Sequence, residues 1–363
     1  MSDASKPICS RIEPSQFPLV IDAVGTVLAE VDSHKGRVFG ADFWHWQYRD
    51  TPSGKTRVYG IFADGELKGY YHVPVYAGSI LGQRGDLAMV QEVAISPELR
   101  GQGMFRKLAD FVTQDLIRSG VAAAYTFPNR KSIHTFLKYN GYTQIATLPA
   151  YILPVRTGAL IGSKVNLAGF EGPLGLAADR CFRAIGVPMD RAAVVSRHPR
   201  LTPQIVEVFE AYQHRHPVGL LRDRRYLSWR FEQRPGAHHY FFSLERDARL
   251  RAAAIFKLDE MLGNPALLLM DYAFYPGEEG ALLQLIQKVK KEGQRATGRP
   301  FNFIFACAGS DFLPGLKKIG FLRVPSKLNP RPLDLLVRNL SASAQAIFDP
   351  CAWHVTLTDW DVM

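Results

Sequence analysis

The chain has 363 residues, of which 47% are hydrophobic and 21% charged, and its formal net charge is +10. These values are typical of an ordinary soluble globular protein, and the length favours two domains. No apolar run approaches the ~18 residues that span a bilayer, and the N-terminus has no apolar signal-peptide core, so we expect a cytoplasmic protein. The positive charge indicates an anionic partner such as a phosphorylated cofactor, or reflects solubility alone.

The four cysteines are Cys9, Cys181, Cys307 and Cys351, and no two of them form a CxxC pair. Such spacing argues against a disulfide framework and a zinc site, and it suits a reducing cytosol. The histidines near residues 214–216 and 238–239 show no ligand spacing with Cys or Asp, so we expect no metal. No basic and aromatic nucleic-acid motif is present, so we expect no nucleic-acid partner.

The first half of the chain alternates strand and helix patterns. Asp64-Gly65 predicts a hairpin turn, because this pair tolerates positive φ, and Gly120 predicts a left-handed helix end. The predicted elements are an amphipathic helix over 15–31, strands over 57–62, 67–76 and 87–95, a helix over 103–118, a strand over 121–127, a helix over 132–139 and a strand over 142–153.

The second half repeats this order. Trp46 and Trp229 each lie six residues before a proline, and strands follow over 239–244, 250–258 and 266–274. The interval from Pro97 to Pro276 equals the interval between the glycines of two Leu-Lys-x-x-Gly-aromatic sequences, Gly141 and Gly320. Matched order over four landmarks indicates a duplication. We therefore predict domains at 1–156 and 201–340, a linker over 157–200 with a short helix near 176–185, and a tail over 341–363.

A strand, a turn with two glycines and a helix follow one another between Val93 and Phe105. The start of a helix leaves backbone N–H groups without partners, and these groups carry partial positive charge. Gly101 and Gly103 lack Cβ atoms, so a pyrophosphate can approach the backbone closely. Arg100 adds a positive charge. The pattern predicts an anion site at this helix start.

The sequence V-x-I-x-P, then R-G-x-G, then an amphipathic helix resembles the acetyl-CoA signature of the GNAT N-acetyltransferase superfamily. The resemblance covers about residues 17–155. It implies an α/β (α+β) fold of two tandem GNAT-like units, each a twisted mixed, mostly antiparallel sheet flanked by helices, with acetyl-CoA as co-substrate. The whole chain resembles a tandem-GNAT subgroup found among bacterial surface-polysaccharide or FemAB-like proteins, through its F-W-x-W stretch and its tail from Trp353 to Asp361.

The resemblance also implies a set of site residues. In the family two central strands splay apart before the glycine turn, and the pantetheine arm pairs with the exposed edge, here at Val93 and Ile95. The implied cofactor-binding residues are Val93, Ala94, Ile95, Arg100, Gly101, Gln102, Gly103, Met104, Phe105 and Asn129. Two positions depart from the family pattern. Phe105 stands where Gly or Ala is common, and Leu137 stands where the family has its general-acid Tyr.

The acceptor amine must lose a proton to attack a thioester, and Glu92 is the carboxylate near the end of this strand, so we predict it as the base. It could equally be an ordinary edge carboxylate. With Leu137 in place of the acid, Tyr139, Tyr142 or a water would have to serve, and Tyr139 is our candidate. Asn129 could also merely cap the next helix. Trp44, Trp46 and Tyr48 either pack the core or form a wall of the acceptor site.

The second half carries Gly277-Glu278-Glu279-Gly280 after Pro276, and two carboxylates there would repel a pyrophosphate. We therefore predict that only the first half binds acetyl-CoA. The predicted function is N-acetyl transfer to a primary amine, of a small molecule or of a glycan such as an amino sugar of a surface polysaccharide. The alternatives are a longer acyl or an aminoacyl donor, and a ligand-binding or scaffolding protein on a GNAT fold. A homodimer is left open.

Overall fold

The computed structural model describes residues 6–17, 21, 40–158, 171–261, 263–307, 313–325, 327, 329, 332–341 and 345–360. The chain divides into two compact units. The first comprises Met1–Thr147, Gln233–Pro235 and Leu333–Ala352, and the second Leu148–Glu232, Gly236–Pro332 and Trp353–Met363. The helix predicted over 15–31 falls mostly on 18–20 and 22–39, which lie outside the described residues.

The strands are β1 Ile8–Ile12, β2 Arg57–Ala63, β3 Glu66–Val73, β4 Val75–Ile80, β5 Gln83–Ile95, β6 Ala123–Thr126, β7 Thr143–Leu148, β8 Ala150–Pro154, β9 Val194–His198, β10 Val218–Leu220, β11 His239–Arg246, β12 Arg249–Met261, β13 Asn264–Phe274, β14 Phe303–Cys307, β15 Leu322–Arg323 and β16 Leu333–Asn339. The helices are α1 Ala41–Trp44, α2 Met104–Arg118, α3 Ile133–Tyr139, α4 Glu171–Ala184, α5 Pro203–Gln213, α6 Arg224–Phe231, α7 Glu279–Thr297 and α8 Leu313–Lys318. A π-helical turn, His45–Arg49, continues α1.

The first unit is built on a mixed sheet in the order β1-β2-β3-β5-β6-β16-β7. The pairs from β1 to β5 are antiparallel, whereas β5 and β6 run parallel. The predicted hairpin turn is confirmed, with φ of 51° at Asp64 and 81° at Gly65. Gly120 also has the predicted positive φ, 74°.

Helix α2 packs on this sheet through the predicted apolar stripe. Met104, Leu108, Val112 and Leu116 recur at a spacing of four and are all buried in the core of the first unit. Burying such side chains stabilises a fold by about 1.5–3 kcal/mol each. The stripe therefore fixes which face of α2 meets the sheet, and with it the position of the turn that precedes the helix.

Strand β5 changes partners along its length. Its first part pairs with β4 on one side and with β6 on the other, where the parallel register runs from Leu87–Ala123 to Val90–Thr126. Its last part pairs with β3, up to Ile95 opposite Gly69. Since β6 ends at Thr126 and β5 continues beyond Val90, the two central strands part at this point, as the resemblance implied.

The second unit has its own sheet, in the order β15-β8-β14-β13-β12-β11-β9. Strands β11, β12 and β13 pair antiparallel, and β13 and β14 run parallel from Ala266–Phe303 to Leu269–Ala306. The parallel registers of the two units begin at Leu87 and Ala266, and the interval between these residues equals that from Pro97 to Pro276. The sequence repeat therefore corresponds to a duplicated topology.

The unit boundaries differ from the predicted ones. Strand β8 pairs with β14 in the second unit, and β16 pairs with β6 in the first. The N-terminal segment of the first unit thus ends at Thr147 rather than at 156. The same unit also includes Leu333–Ala352, which was predicted to belong to the second domain and the tail. Each sheet takes a strand from the other half of the sequence. The short helix predicted near 176–185 is α4, Glu171–Ala184.

Residues 353–360 are buried within the second unit, and two of them take part in a charge cluster. Arg222, only 1% exposed, donates from Nη2 to Asp359 at 2.5 Å and from Nε to Asp271 at 3.2 Å. His354 Nε2 lies 3.6 Å from the other oxygen of Asp271. Burial by itself would raise the pKa of Asp271, but the Arg222 guanidinium and His354 hold it below its ordinary value.

We predict that Asp359→Asn lowers the free energy of unfolding by about 3–5 kcal/mol, because it leaves Arg222 buried with incomplete charge compensation. Urea denaturation of the full chain measures this loss. Asp259→Asn is the matched control, because its ion pair with Lys257 lies at an exposed position. A loss for Asp359→Asn no larger than that for Asp259→Asn would contradict the assignment of Arg222 as a buried charge that needs both carboxylates.

Candidate active site

A turn connects β5 to α2. After Ile95 the chain makes a short 3₁₀ turn, Pro97–Leu99, and then passes through Gly101 and Gly103 before α2 begins at Met104. Both glycines have positive φ, 74° and 71°. Gly can adopt this conformation without strain, whereas other residues rarely do. The glycines that the sequence singled out are therefore required by the backbone.

The turn is open to solvent. Gly101, Gln102 and Gly103 are exposed, and a Cβ on either glycine would meet no atom within 4 Å. Helix α2 has no side-chain cap and no acidic residue in its first turn. Among the described residues, the backbone N–H groups of 101–103 have no acceptor. These groups and the helix dipole can bind an anion such as a pyrophosphate.

Two side chains of the turn bind its own backbone. Arg100 donates from Nε to the Ile95 carbonyl at 3.3 Å, and Gln102 donates from Nε2 to the Glu98 carbonyl at 2.7 Å. Both hydrogen bonds join a side chain of the turn to a backbone carbonyl a few residues earlier in the chain. Arg100 remains exposed, so a positively charged residue directly precedes the open N–H groups in the chain.

Phe105, which departs from the family pattern, points into the core. Its ring lies 6.0 Å from that of Phe136, edge to face, and 6.5 Å from that of Tyr71. Met104 is also buried. A phenylalanine at this position therefore leaves the space in front of the glycines open.

The end of β5 carries a β-bulge. Tyr70 pairs with Ala94 and His72 with Gln91, so Glu92 and Val93 face the single residue between them on β3. Glu92 has φ of 47°, which is uncommon for a residue with a side chain. A bulge bends its strand and redirects a side chain. This one lies just beyond Val90, where β5 parts from β6.

The Glu92 carboxylate is the centre of a polar cluster. Its Oε2 accepts hydrogen bonds from the Tyr48 hydroxyl at 2.6 Å and from the Tyr70 hydroxyl at 2.9 Å, and it lies 3.0 Å from His72 Nδ1. Tyr70 also contacts His72 Nδ1, and Gln91 donates to the Tyr48 hydroxyl at 3.2 Å. The Glu92 side chain is 16% exposed, so it connects this buried cluster to solvent.

His72 is fully buried, and burial lowers its pKa well below the ordinary value, which keeps the ring neutral. Aromatic rings surround it, with Trp44 at 4.5 Å, Tyr48 at 3.7 Å and Tyr70 at 3.9 Å between ring centroids. Sequence reasoning missed His72 and Tyr70. The available signal was their i, i+2 spacing on β3, which places both on one face of the strand.

The aromatic stretch before β2 packs the core. Trp44, Trp46 and Tyr48 are all at most 4% exposed, and Trp44 and Tyr48 belong to one apolar cluster. Trp46 packs against Phe43 and lies under the Arg234 guanidinium. Of the two roles that the sequence left open, the structure shows packing. Tyr48 in addition reaches the Glu92 carboxylate through its hydroxyl.

The tyrosines considered as the acid lie elsewhere. Tyr139 is 47% exposed at the end of α3, beside the Lys138 ammonium. Tyr142 is buried, and burial raises its pKa above the ordinary value despite the nearby Arg338. Neither has a described contact with the Glu92 cluster. Asn129 accepts hydrogen bonds from the backbone N–H groups of Lys131 and Ser132, in the turn before α3, whose N-cap is Ser132.

The corresponding turn of the second unit holds paired charges. Glu278, which precedes α7, binds Arg246 Nη2 at 2.6 Å and lies 3.4 Å from Arg251 Nη1. Glu279 lies 3.4 Å from Arg215. The carboxylates are thus neutralised, and the arginines that could meet a pyrophosphate are engaged. That this unit does not bind CoA stays a prediction.

The described residues contain no candidate metal site, because no group of three or more of their His, Cys, Asp or Glu side chains is arranged to hold an ion. None of the helices in this part of the chain combines the length and apolar character needed to cross a membrane. The four cysteines all lie among the described residues, and no disulfide joins any two of them.

The first unit matches a known family. A family model described as a GNAT acetyltransferase domain matches residues 9–145, nearly the whole contiguous part of this unit. The N-terminal unit is a GNAT domain. No curated protein matches the sequence.

Solved structures share the fold of the whole chain. A probable N-acyltransferase from Enterococcus faecalis V583 matches with a TM-score of 0.65 and 14% identity, over 93% of this chain and 73% of that one. Saccharomyces cerevisiae N-myristoyltransferase with bound myristoyl-CoA gives 0.58 and 12%, over 92% and 79%. A tandem GNAT protein from the clavulanic acid biosynthesis pathway gives 0.58 and 12%, over 93% and 100%. The predicted fold of two tandem GNAT units is confirmed.

Proposed function

We propose that this chain is an acyl-CoA-dependent N-acyltransferase, and that its N-terminal GNAT domain performs the reaction on a primary amine. The observation that carries the proposal is the exposed turn at Gly101–Gly103, whose N–H groups have no described acceptor and whose glycines leave room for a diphosphate. The bulge at Glu92 supports it, because it places a carboxylate where β5 parts from β6.

The residues present fit a bound acyl-CoA. The N–H groups of 101–103 and the Arg100 guanidinium would hold the pyrophosphate, and Val93 and Ile95 offer backbone groups along the parted strand. The co-substrate supplies a thioester, whose carbonyl carbon is the electrophile. An N–H near Val93 would polarise that carbonyl. Glu92 would take the proton that the acceptor amine loses as its nitrogen bonds to the acyl carbon and the C–S bond breaks.

Acetyl-CoA is the proposed donor, and the acceptor is an amine of a small molecule or of a glycan such as an amino sugar. A longer acyl donor is a second candidate, because N-myristoyltransferase with bound myristoyl-CoA shares the fold over most of this chain. The polar cluster at Glu92 argues against a purely scaffolding protein, because buried polar groups gathered on one partly exposed carboxylate are typical of functional sites.

We predict that Gly103→Asp abolishes acetyl-CoA binding, because a carboxylate there meets the pyrophosphate and covers the open N–H groups. Isothermal titration calorimetry measures the affinity. Gly120→Asp is the matched control, since Gly120 has nearly the same φ, 74°, with an equally open Cβ position, at the opposite end of α2. Unchanged affinity in Gly103→Asp would refute the assignment of the turn.

We predict that Glu92→Gln lowers kcat by about 10²–10⁴-fold, because it removes the proton acceptor. Acetyl-CoA affinity should be retained, and the acidic limb of the pH–rate profile should disappear. Glu66→Gln is the control, as this glutamate of β3 is exposed and pairs with Lys68. A pH–rate profile like that of the unmodified protein would remove Glu92 from the proton transfer.

The donor is tested by thermal shift with an acyl-CoA series from acetyl to myristoyl. If acetyl-CoA is the donor, stabilisation should be largest with the shortest chains, because each methylene that finds no apolar contact adds nothing. Stabilisation that grows steadily with chain length would instead support the long-chain donor. Free CoA is the control that separates binding of the nucleotide from binding of the acyl chain.

A further inference from the structure

Three hydrogen-bond donors from two elements converge on one oxygen of Glu92. Tyr48 comes from the π-helical turn after α1, and Tyr70 and His72 come from β3. All three contacts, at 2.6, 2.9 and 3.0 Å, involve Oε2. Hydrogen bonds to an ionised carboxylate are stronger than those between neutral groups, and three of them fix the plane of the carboxylate.

The protonation of His72 follows from its surroundings. The ring is neutral, so it carries one hydrogen, on Nδ1 or on Nε2. Nε2 has no hydrogen-bond partner among the described residues. A hydrogen on Nε2 would leave a buried N–H unsatisfied and would turn the Nδ1 lone pair toward the carboxylate oxygen 3.0 Å away. A hydrogen on Nδ1 avoids both costs, because it faces Oε2 and the Tyr70 hydroxyl oxygen, which can accept a hydrogen bond while it donates its own hydrogen to Oε2.

Resting on the proposed function, we propose that His72 is a positioning residue for Glu92: a neutral Nδ1–H donor that, together with the Tyr48 and Tyr70 hydroxyls, orients the carboxylate and stabilises its anionic form for proton transfer from the acceptor amine. His72 is not itself the base. Its Nδ1 already carries a hydrogen, and a second proton on Nε2 would create a buried charge with no acceptor for that N–H.

The second unit supplies an internal comparison. When the two halves are aligned with Trp46 opposite Trp229, Tyr70 aligns with Ala253 and His72 with Ile255, both in β12. Ala253 pairs with Ala273 as Tyr70 pairs with Ala94.

The carboxylate of the bulge also has a counterpart in the second unit. With the interval from Pro97 to Pro276, Glu92 aligns with Asp271, which is fully buried, binds the Arg222 guanidinium through Oδ2 and accepts a hydrogen bond from the Tyr272 N–H through Oδ1. The donor set of Tyr48, Tyr70 and His72 therefore occurs in the unit that carries the open glycine turn.

Two substitutions at His72 separate a donor from a base. His72→Asn keeps an amide N–H near the place of Nδ1, whereas His72→Leu removes every donor while filling similar space. Both remove the imidazole. The described hydrogen bonds to Glu92 that remain in these variants are those from Tyr48 and Tyr70, and both variants share them, so a difference between their pH–rate profiles reports the group at position 72.

In His72→Leu we expect the acidic limb of the kcat profile to move to higher pH by about one to two pH units, because the anion loses one charge-assisted hydrogen bond. The sign follows because a carboxylate with fewer donors holds its proton more tightly. At a pH on the acidic limb kcat should fall about tenfold for each pH unit of that shift, while the KM for acetyl-CoA changes less than about twofold, since the turn at Gly101–Gly103 is untouched. His72→Asn should keep the pH–rate profile and kcat close to those of the unmodified protein, because it retains a donor.

His45→Leu, in the neighbouring π-helical turn, is the control for removing a histidine. Tyr70→Phe is the second variant, which preserves the ring and removes one donor, so it tests the proposal even where His72→Leu does not fold; its acidic limb should also move upward. Melting temperature and acetyl-CoA affinity are measured for each variant.

Two results would overturn the proposal. If His72→Asn and His72→Leu both lose activity as Glu92→Gln does, His72 carries the proton itself. If both, and Tyr70→Phe, retain the unmodified pH–rate profile, the donors do not act on Glu92. Failure of the proposed function is distinct from either, because the unmodified protein would then neither bind acetyl-CoA nor acylate any amine.

Discussion

The chemistry that we propose for the N-terminal unit depends on one bulge in β5. Glu92 adopts φ of 47°, and a side chain in that region costs about 1–2 kcal/mol. The strain is maintained because β3 holds the register on both sides, through Tyr70 with Ala94 and His72 with Gln91. Strain of this kind occurs where a side chain must point in a direction that a regular strand does not allow. Here it brings a carboxylate to three donors at the point where β5 and β6 part.

The carboxylate in the bulge, Glu92, and the aligned Asp271 of the second unit have different surroundings. Glu92 is partly exposed, and its described partners are the side chains of Tyr48, Tyr70 and His72. Asp271, its counterpart in the repeat, is buried and bound by Arg222, and the charge of the pair is part of the folding energy. A carboxylate committed to a buried ion pair cannot take a proton without unpairing the arginine. The aligned carboxylate thus serves folding in the second unit, where it pairs in register with Ile255, and lies in the bulge that the proposed chemistry uses in the first.

The features that the sequence predicted are those that depend on neighbouring residues in the chain. The turn at Gly101–Gly103 and the stripe of α2 depend on residues a few positions apart, so their pattern predicts them. Strand β8 joins the second sheet and β16 joins the first through pairings between distant segments, which no local sequence pattern encodes. His72 and Tyr70 were missed for the same reason: the alternation of β3 places them on one face, but only the register against β5 shows that Glu92 lies on that face too. Tyr48 was noticed as an aromatic, and its hydroxyl became informative once its partner was known.

The glycine turn and the carboxylate of β5 both differ from their counterparts in the second unit. In the first unit the helix after the turn begins without an acidic residue, and its N–H groups are open; in the second, Glu278 and Glu279 stand at the helix start, with Arg246 and Arg215 as partners. Either change alone would impair one step, binding or proton transfer. Under the proposed function their joint occurrence in one unit is expected, because a turn that does not bind a diphosphate leaves no role for an accessible carboxylate beside it. The sheet itself persists because its parallel pair, β13 with β14, is buried and contributes to folding regardless of chemistry.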